Sequence, residues 1–273
     1  MADDWVSEDT ETKERHFHGI LWTHATICKG IATRQRVEPY LYVDLHAGRG
    51  HLQYRGRSFN GSPLIARDIL AATGMPYQAM HYEANAEQAA MLAEALWVPT
   101  TLLDAADVDS HPIHVERCED GFAQWLKGVT CQPNRYGVVY SDPVRDEIPH
   151  ELLNKTARAL PRVDLLAYVM ANQYKRRRGI DERLHGAQAT RPFLADHIKA
   201  IKKRFVLIRE PIGKWESTFV LWTDWDSYPV WGKAGFHRLD SARGQRVLDR
   251  LNLAKRKRHA RDNTPLWEDE DAA

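Results

Sequence analysis

Cysteine is scarce in this chain: Cys28, Cys118 and Cys131 are the three in 273 residues. An odd, widely spaced set without metal-ligand spacing excludes a zinc-ribbon signature and argues against a disulfide framework. A reducing, cytoplasmic setting is the natural expectation, with no metal. Long apolar runs are also missing. No stretch reaches the roughly 18 residues that a membrane helix needs, so no membrane span is expected. The opening MADDWVSEDTETKE is acidic and polar, which is unlike a secretory leader. No internal repeat is visible.

What is present reads as a globular enzyme-sized chain. Hydrophobic residues make up 43% and charged residues 27%, and the length suits one large domain or one domain with an insertion. The net charge of +1 hides an asymmetry, because residues 175–261 hold 22 Lys and Arg against 9 Asp and Glu. Three clusters carry it: Lys175, Arg176, Arg177 and Arg178; the group from Lys199 to Arg204; and Lys255, Arg256, Lys257 and Arg258 onward. A single charge run is usually a solvated face, but three in one third of a chain are the footprint of a polyanion partner. Residues 1–14 read as an acidic tail, 15–253 as one domain, and 254–273 as a basic and then acidic tail. Within the domain, 172–191 reads as a basic loop insertion.

Apolar runs and helical patterns alternate along the domain. A leading helix covers 16–35, and strands are expected at 41–45, 77–83, 112–118, 135–142, 164–171, 204–210 and 217–225. Between the first two strands, HLQYRGRSFNG reads as a long polar loop, and Ser62-Pro63 reads as an N-cap opening a helix. Asn85 reads as the cap of the next helix. Alternating strands and helices imply a parallel sheet covered on both faces. The short link between the last two strands favours a hairpin, hence one antiparallel strand. The expected fold is α/β, a Rossmann-like seven-stranded, mostly parallel sheet with helices on both faces and an antiparallel last strand. Ligands of such sheets sit beyond the carboxyl ends of the strands.

The most informative segment is LYVDLHAGRG, residues 41–50. A strand runs into a turn with Gly48 and Gly50, where backbone N–H groups can approach a ligand because no Cβ intervenes. The spacing is D-x-H-A-G-x-G, so the dinucleotide fingerprint G-x-G-x-x-G is not met. The segment resembles the first motif of class I S-adenosylmethionine-dependent methyltransferases. That resemblance implies S-adenosylmethionine as cofactor, held by the loop of Asp44, His46, Gly48 and Gly50. It further implies that Glu83, ending the second strand, takes the ribose hydroxyls. An acid after the third strand would meet the adenine amine, Asp120 being preferred over Glu119, although either also suits an N-cap.

The fourth strand ends Tyr-Ser-Asp-Pro, residues 140–143. This resembles the [DNS]-P-P-[YFW] motif of methyltransferases that act on exocyclic amines of nucleic-acid bases. An aromatic amine is a poor nucleophile because its lone pair is delocalised into the ring. Two acceptors, the Asp142 carboxylate and the Pro143 carbonyl, would orient it and let it become tetrahedral. The match is incomplete: Val144 replaces the second proline, and Arg145 replaces the aromatic that stacks on the base. A guanidinium plane can also stack on a base.

Over residues 20–145 the chain resembles the three-Cys-motif partner proteins, in HATICKG, DLHAGRG, GSPLIA and the later D-P. It is also similar to ribosomal-RNA adenine methyltransferases with the same first motif. By analogy, Lys29 or His24 on the leading helix would touch the cofactor carboxylate. The resulting expectation is a methyltransferase for adenine N6 in DNA, with Arg145 and the two flanking basic clusters on the nucleic acid. RNA as substrate, a small-molecule substrate, or an inactive nucleic-acid-binding partner protein are the alternatives.

Overall fold

The computed structural model describes residues 6, 9–97, 111–129, 134–143, 147–188, 193–212, 216–226 and 228–252. Helix α1 (Thr10–Ala32) leads into β1 (Tyr40–Asp44), and a hairpin of β2 (His51–Tyr54) and β3 (Arg57–Asn60) follows. Then come α2 (Ser62–Thr73), β4 (Tyr77–Tyr82), α3 (Ala86–Trp97), β5 (Ile113–His114) and α4 (Cys118–Gly128). The second half contains β6 (Gly137–Ser141), α5 (His150–Ala159), β7 (Val163–Met170), α6 (Ala171–His185) and α7 (Leu194–Ala200). Strands β8 (Phe205–Arg209) and β9 (Ser217–Thr223), helix α8 (Tyr228–Lys233), strand β10 (Phe236–Arg238) and helix α9 (Ala242–Asn252) complete it.

Among the described residues the main sheet has eight strands, in the order β10-β8-β9-β7-β6-β1-β4-β5. The pairs β1–β4, β1–β6, β4–β5 and β6–β7 are parallel, and β9 runs antiparallel to both its neighbours, β7 and β8. The expected antiparallel late strand is therefore present, seated inside the sheet. An eighth strand, β10, extends the edge antiparallel to β8. At three residues it is too short to show as a periodic run.

Alternation along the strands feeds two cores, because successive side chains point to opposite faces. Leu41 and Val43 of β1 join the cluster with Phe122, Leu153, Ile198 and Leu248, under α4, α5, α7 and α9. Tyr40 and Tyr42 join the other, with Phe17, Leu21, Ile69 and Trp231, under α1, α2 and α8.

Three local expectations need correction. The segment expected as a polar loop, 51–61, is the β2–β3 hairpin, a separate two-stranded sheet. The basic segment 172–191, expected as a loop, is largely α6, with Tyr174 and Ala171 buried and Arg178–Glu182 and Asp181–His185 ion pairs along it. Helix α1 begins at Thr10, so its first turns lie in what reads as an acidic tail. Among the described residues, no helix is long and apolar enough to cross a membrane.

Candidate functional site

The carboxyl ends of β1, β4 and β6 face a cleft of about 520 Å³, closed from the side by the first turns of α1 and the start of α4. The floor is the turn after β1. Leu45 and Ala47 donate backbone hydrogen bonds to Tyr140 and Tyr82, which moors the turn to the strands on either side at 3.0 Å each. Gly48 and Gly50 then adopt left-handed φ of 64° and 84°. At Gly50 a Cβ would also stand 2.9 Å from the Ala95 Cβ, so both backbone angle and space require glycine there.

Glu83 fixes this turn from the next strand. Its Oε2 accepts the Gly48 N–H at 2.9 Å and its Oε1 accepts the Asn85 N–H at 2.8 Å. A carboxylate offers about four lone-pair sites, so two bonds leave room for hydroxyl donors from a ligand. Asn85 itself caps α3, its side chain accepting the Gln88 N–H at 3.0 Å.

Asp44 is fully buried and faces inward. It accepts from the Ser62 hydroxyl at 2.6 Å, the Tyr42 hydroxyl at 3.0 Å and the His46 N–H at 3.1 Å. Burial pushes its carboxyl up to about 6, against these three hydrogen bonds. Ser62 thus serves Asp44 instead of capping α2, whose N-cap is Gly61. His46 lines the cleft and its Nδ1 accepts the backbone N–H of Asp142 at 3.3 Å, joining the turn to the end of β6.

At that end, Asp142 and buried Pro143 both line the cleft. Lys13 of α1 reaches across to Asp142 with Nζ 2.7 Å from Oδ2, and also contacts Glu14 at 3.2 Å. Burial opposes the Lys13 charge, yet Asp142 and Glu14 hold its ammonium above the usual lysine range. Burial raises the Glu14 carboxyl to about 7; Lys13 works against this, and Asp142 and Asp44 add to it. Six carboxylates (Glu14, Glu83, Glu116, Glu119, Asp142, Glu147) line the cleft beside Lys13, Arg49 and Arg117. Such a lining suits a ligand that carries positive charge and hydroxyl donors.

No protein-family model matches this chain, and no curated protein shows significant similarity to it. Solved structures do resemble it. A Legionella pneumophila protein superposes with a TM-score of 0.50 at 13% identity, over 78% of this chain and 88% of that one. A SAM-dependent methyltransferase from Agrobacterium tumefaciens gives 0.39 at 14% identity, over 74% of this chain and 61% of that one. An rRNA methylase from Streptococcus thermophilus gives 0.36 at 11% identity, over 72% and 94%. The strand order and directions, with helices on both faces, make this a Rossmann-like α/β fold, shared with the Legionella protein.

Against that fold, the residues singled out in the sequence divide clearly. His46, Gly48, Gly50, Glu83, Asp142 and Pro143 converge on the cleft. Asp44 is not among the lining residues, because its oxygens are spent inside the protein; it shapes the turn from behind. Asp120 is exposed and outside the lining, and Glu119 is the acid of that pair that reaches the cleft. Lys29 is exposed in the last turn of α1, 16 residues and thus about 24 Å along the axis from Lys13. His24 is buried beneath the sheet between Tyr40 and Asp164.

The basic cluster 175–178 sits on α6, so its charges point in different directions, and three of the four are already engaged. Lys175 pairs with Glu216 at 2.5 Å, Arg177 with Glu147 at 3.5 Å and Arg178 with Glu182 at 2.8 Å, while Arg176 is exposed. Arg145 and residues 255–258 lie outside the described residues. Sequence reasoning missed Lys13 and Glu14. For Glu14 the signal was available: Thr10, Glu14, Phe17, Leu21, His24 and Cys28 repeat every three or four residues, and Glu14 lies in that buried stripe.

Proposed function

We propose that this protein is an S-adenosylmethionine-dependent methyltransferase acting on an exocyclic amine of a nucleic-acid base, adenine N6 in DNA being the leading substrate. The observation that carries this reading is the joint placement, at one cleft, of the Gly48–Glu83 bond and the Asp142-Pro143 end of β6. Glu83 has acceptor capacity left for two ribose hydroxyls, Gly48 leaves open space where a side chain would stand, and the carboxylate-rich lining suits a sulfonium. The donor, when bound, supplies an electrophilic methyl group. The target adenine would have to leave its stack to reach the cleft.

The rest falls to this chain's own residues. Asp142 accepts one N–H of the amine and the Pro143 carbonyl accepts the other, which orients the nitrogen lone pair. Lys13 and the His46 contact keep the Asp142 segment in place. Most of the rate comes from this orientation and from preorganised acceptors. Arg176 and the basic residues 255–258, with Arg145, are the proposed phosphate and base contacts. The resemblance to the three-Cys-motif partner family is compatible with this assignment and adds no residue to it.

The test is incubation with methyl-labelled cofactor and a panel of DNA and RNA, followed by digestion to nucleosides. N6-methyladenine is the expected product, and the panel decides between DNA and RNA. Asp142→Ala should lower incorporation by at least about a hundredfold, the scale of losing a placed acceptor, while cofactor affinity stays within a few fold. Full incorporation by Asp142→Ala removes the assigned role. Label found only on small molecules removes the nucleic-acid substrate.

A further inference from the structure

We infer that the β2–β3 hairpin is the ribbon on which the strand carrying the target base docks. This rests on the reading of the cleft as a base-amine methyltransferase site. The cleft lining is dominated by carboxylates, which favour a cationic ligand and repel phosphate. A nucleic acid that delivers a base there must have its backbone held by positive charge outside that wall. Residues 51–60 supply it: His51, Arg55 and Arg57 occur there with no Asp or Glu.

The placement is direct. The hairpin leaves the cofactor-type turn at Gly50, returns at Gly61, and Leu52 lines the cleft. From Leu52 to the tip is three residues, a reach of about 10 Å, comparable to about three stacked nucleotide steps. Its two strands pair only with each other among the described residues, so the ribbon projects rather than joining the main sheet. Arg57 anchors it to α1 through a two-pronged contact with Glu11, 2.9 and 3.2 Å.

The tip carries the decisive detail. Arg55 and Gly56 both have positive φ, 49° and 77°, the geometry that a two-residue hairpin turn requires. Asn or Gly enters that conformation readily, whereas an arginine is strained by it. An exposed arginine is nevertheless placed there, its guanidinium 5.2 Å from the Tyr54 ring centroid. Turn formation does not select arginine at this position, but contact with a phosphate or a base face does.

Arg55→Asn separates the two roles, because it keeps or improves the turn while deleting the charge. The measurements are fluorescence anisotropy with labelled single-stranded DNA and RNA of about 20 nucleotides across about 50–200 mM salt, calorimetry with S-adenosylmethionine, and thermal unfolding. The variant should unfold at the wild-type temperature or higher and bind cofactor normally. It should bind oligonucleotide about three- to tenfold more weakly, with the log–log salt slope reduced by about one. Wild-type oligonucleotide affinity and slope in Arg55→Asn overturn the docking ribbon and leave the enzymatic reading standing. If the wild type takes up cofactor and neither oligonucleotide at low salt, the nucleic-acid substrate fails and the ribbon fails with it. If oligonucleotide binding depends on Arg55 and cofactor does not bind, the ribbon stands and the methyltransferase reading falls.

Discussion

Glu14 illustrates how a single buried acid couples the cleft to pH. Its side chain stands beside Lys13, and its Oε2 is buried without a hydrogen-bond partner. Burial is the largest influence on it and lifts the carboxyl from 4.5 to about 7. A carboxyl raised in the folded state holds its proton longer than in the unfolded chain. Folding therefore loses stability as pH rises from about 4.5 to about 7 and gains it as pH falls through that window. Asp44 acts in the same direction between 3.8 and about 6. Glu14→Gln removes the ionisation while keeping the shape. Its melting temperature should exceed that of the wild type at pH 8, and the difference should close as pH falls toward 4.5. A variant less stable than wild type at pH 8 would mean that the Lys13 pairing outweighs the desolvation.

Elements show where a sequence speaks and where it is silent. Strands β1, β4, β6 and β7 are legible because both faces are covered, so each is a dense apolar run with β-branched or aromatic residues. Helix α6 is not, because its composition is mostly polar and only Ala171 and Tyr174 are buried; tertiary contacts and i,i+4 pairs hold it. The hairpin is hidden for a related reason: an Arg-Gly turn lacks the usual Asn-Gly signature, and its strands bury no residue fully. Of the site, the glycine turn, Glu83 and Asp142 are legible as motifs at strand ends. Lys13 reaches the cleft only because α1 crosses one sheet face, and no local pattern encodes that crossing.

That crossing is secured at α1's far half. His24 Nδ1 meets the Tyr40 hydroxyl at 2.8 Å and its Nε2 lies 3.2 Å from Asp164 Oδ2, tying α1 to β1 and β7. Burial alone would lower the imidazole, but Cys28 and Asp164 raise it from 6.5 to about 10. The stabilisation from the pair is complete below pH 6.5 and is lost as pH rises through about 10. His24→Ala should cost about 3–5 kcal/mol in denaturant unfolding near pH 6, because it strands a buried carboxylate. His24→Leu combined with Asp164→Leu should recover most of that loss. A single variant that costs under about 1 kcal/mol would show the pair to be incidental.

At the scale of the molecule, the cleft is assembled from segments far apart in sequence: the start of α1, the turn after β1, the ends of β4 and β6, and the start of α4. Two cores flank one continuous sheet, so these segments are held by the same packing and should be lost together. A donor that binds only the assembled cleft then stabilises the whole chain by mass action. At about a hundredfold excess over its dissociation constant the gain is about 2.7 kcal/mol. In a domain of this size that corresponds to a rise of about 5–10 °C in the unfolding midpoint. S-adenosylmethionine and its demethylated product should both produce the rise in a thermal scan, and adenosine alone should produce less. Glu83→Ala removes both the Gly48 tether and the proposed ribose acceptor, so it should abolish the ligand-induced shift. A midpoint that stays put at millimolar donor would mean that the assembled acidic cleft serves a different ligand, whatever the fold around it.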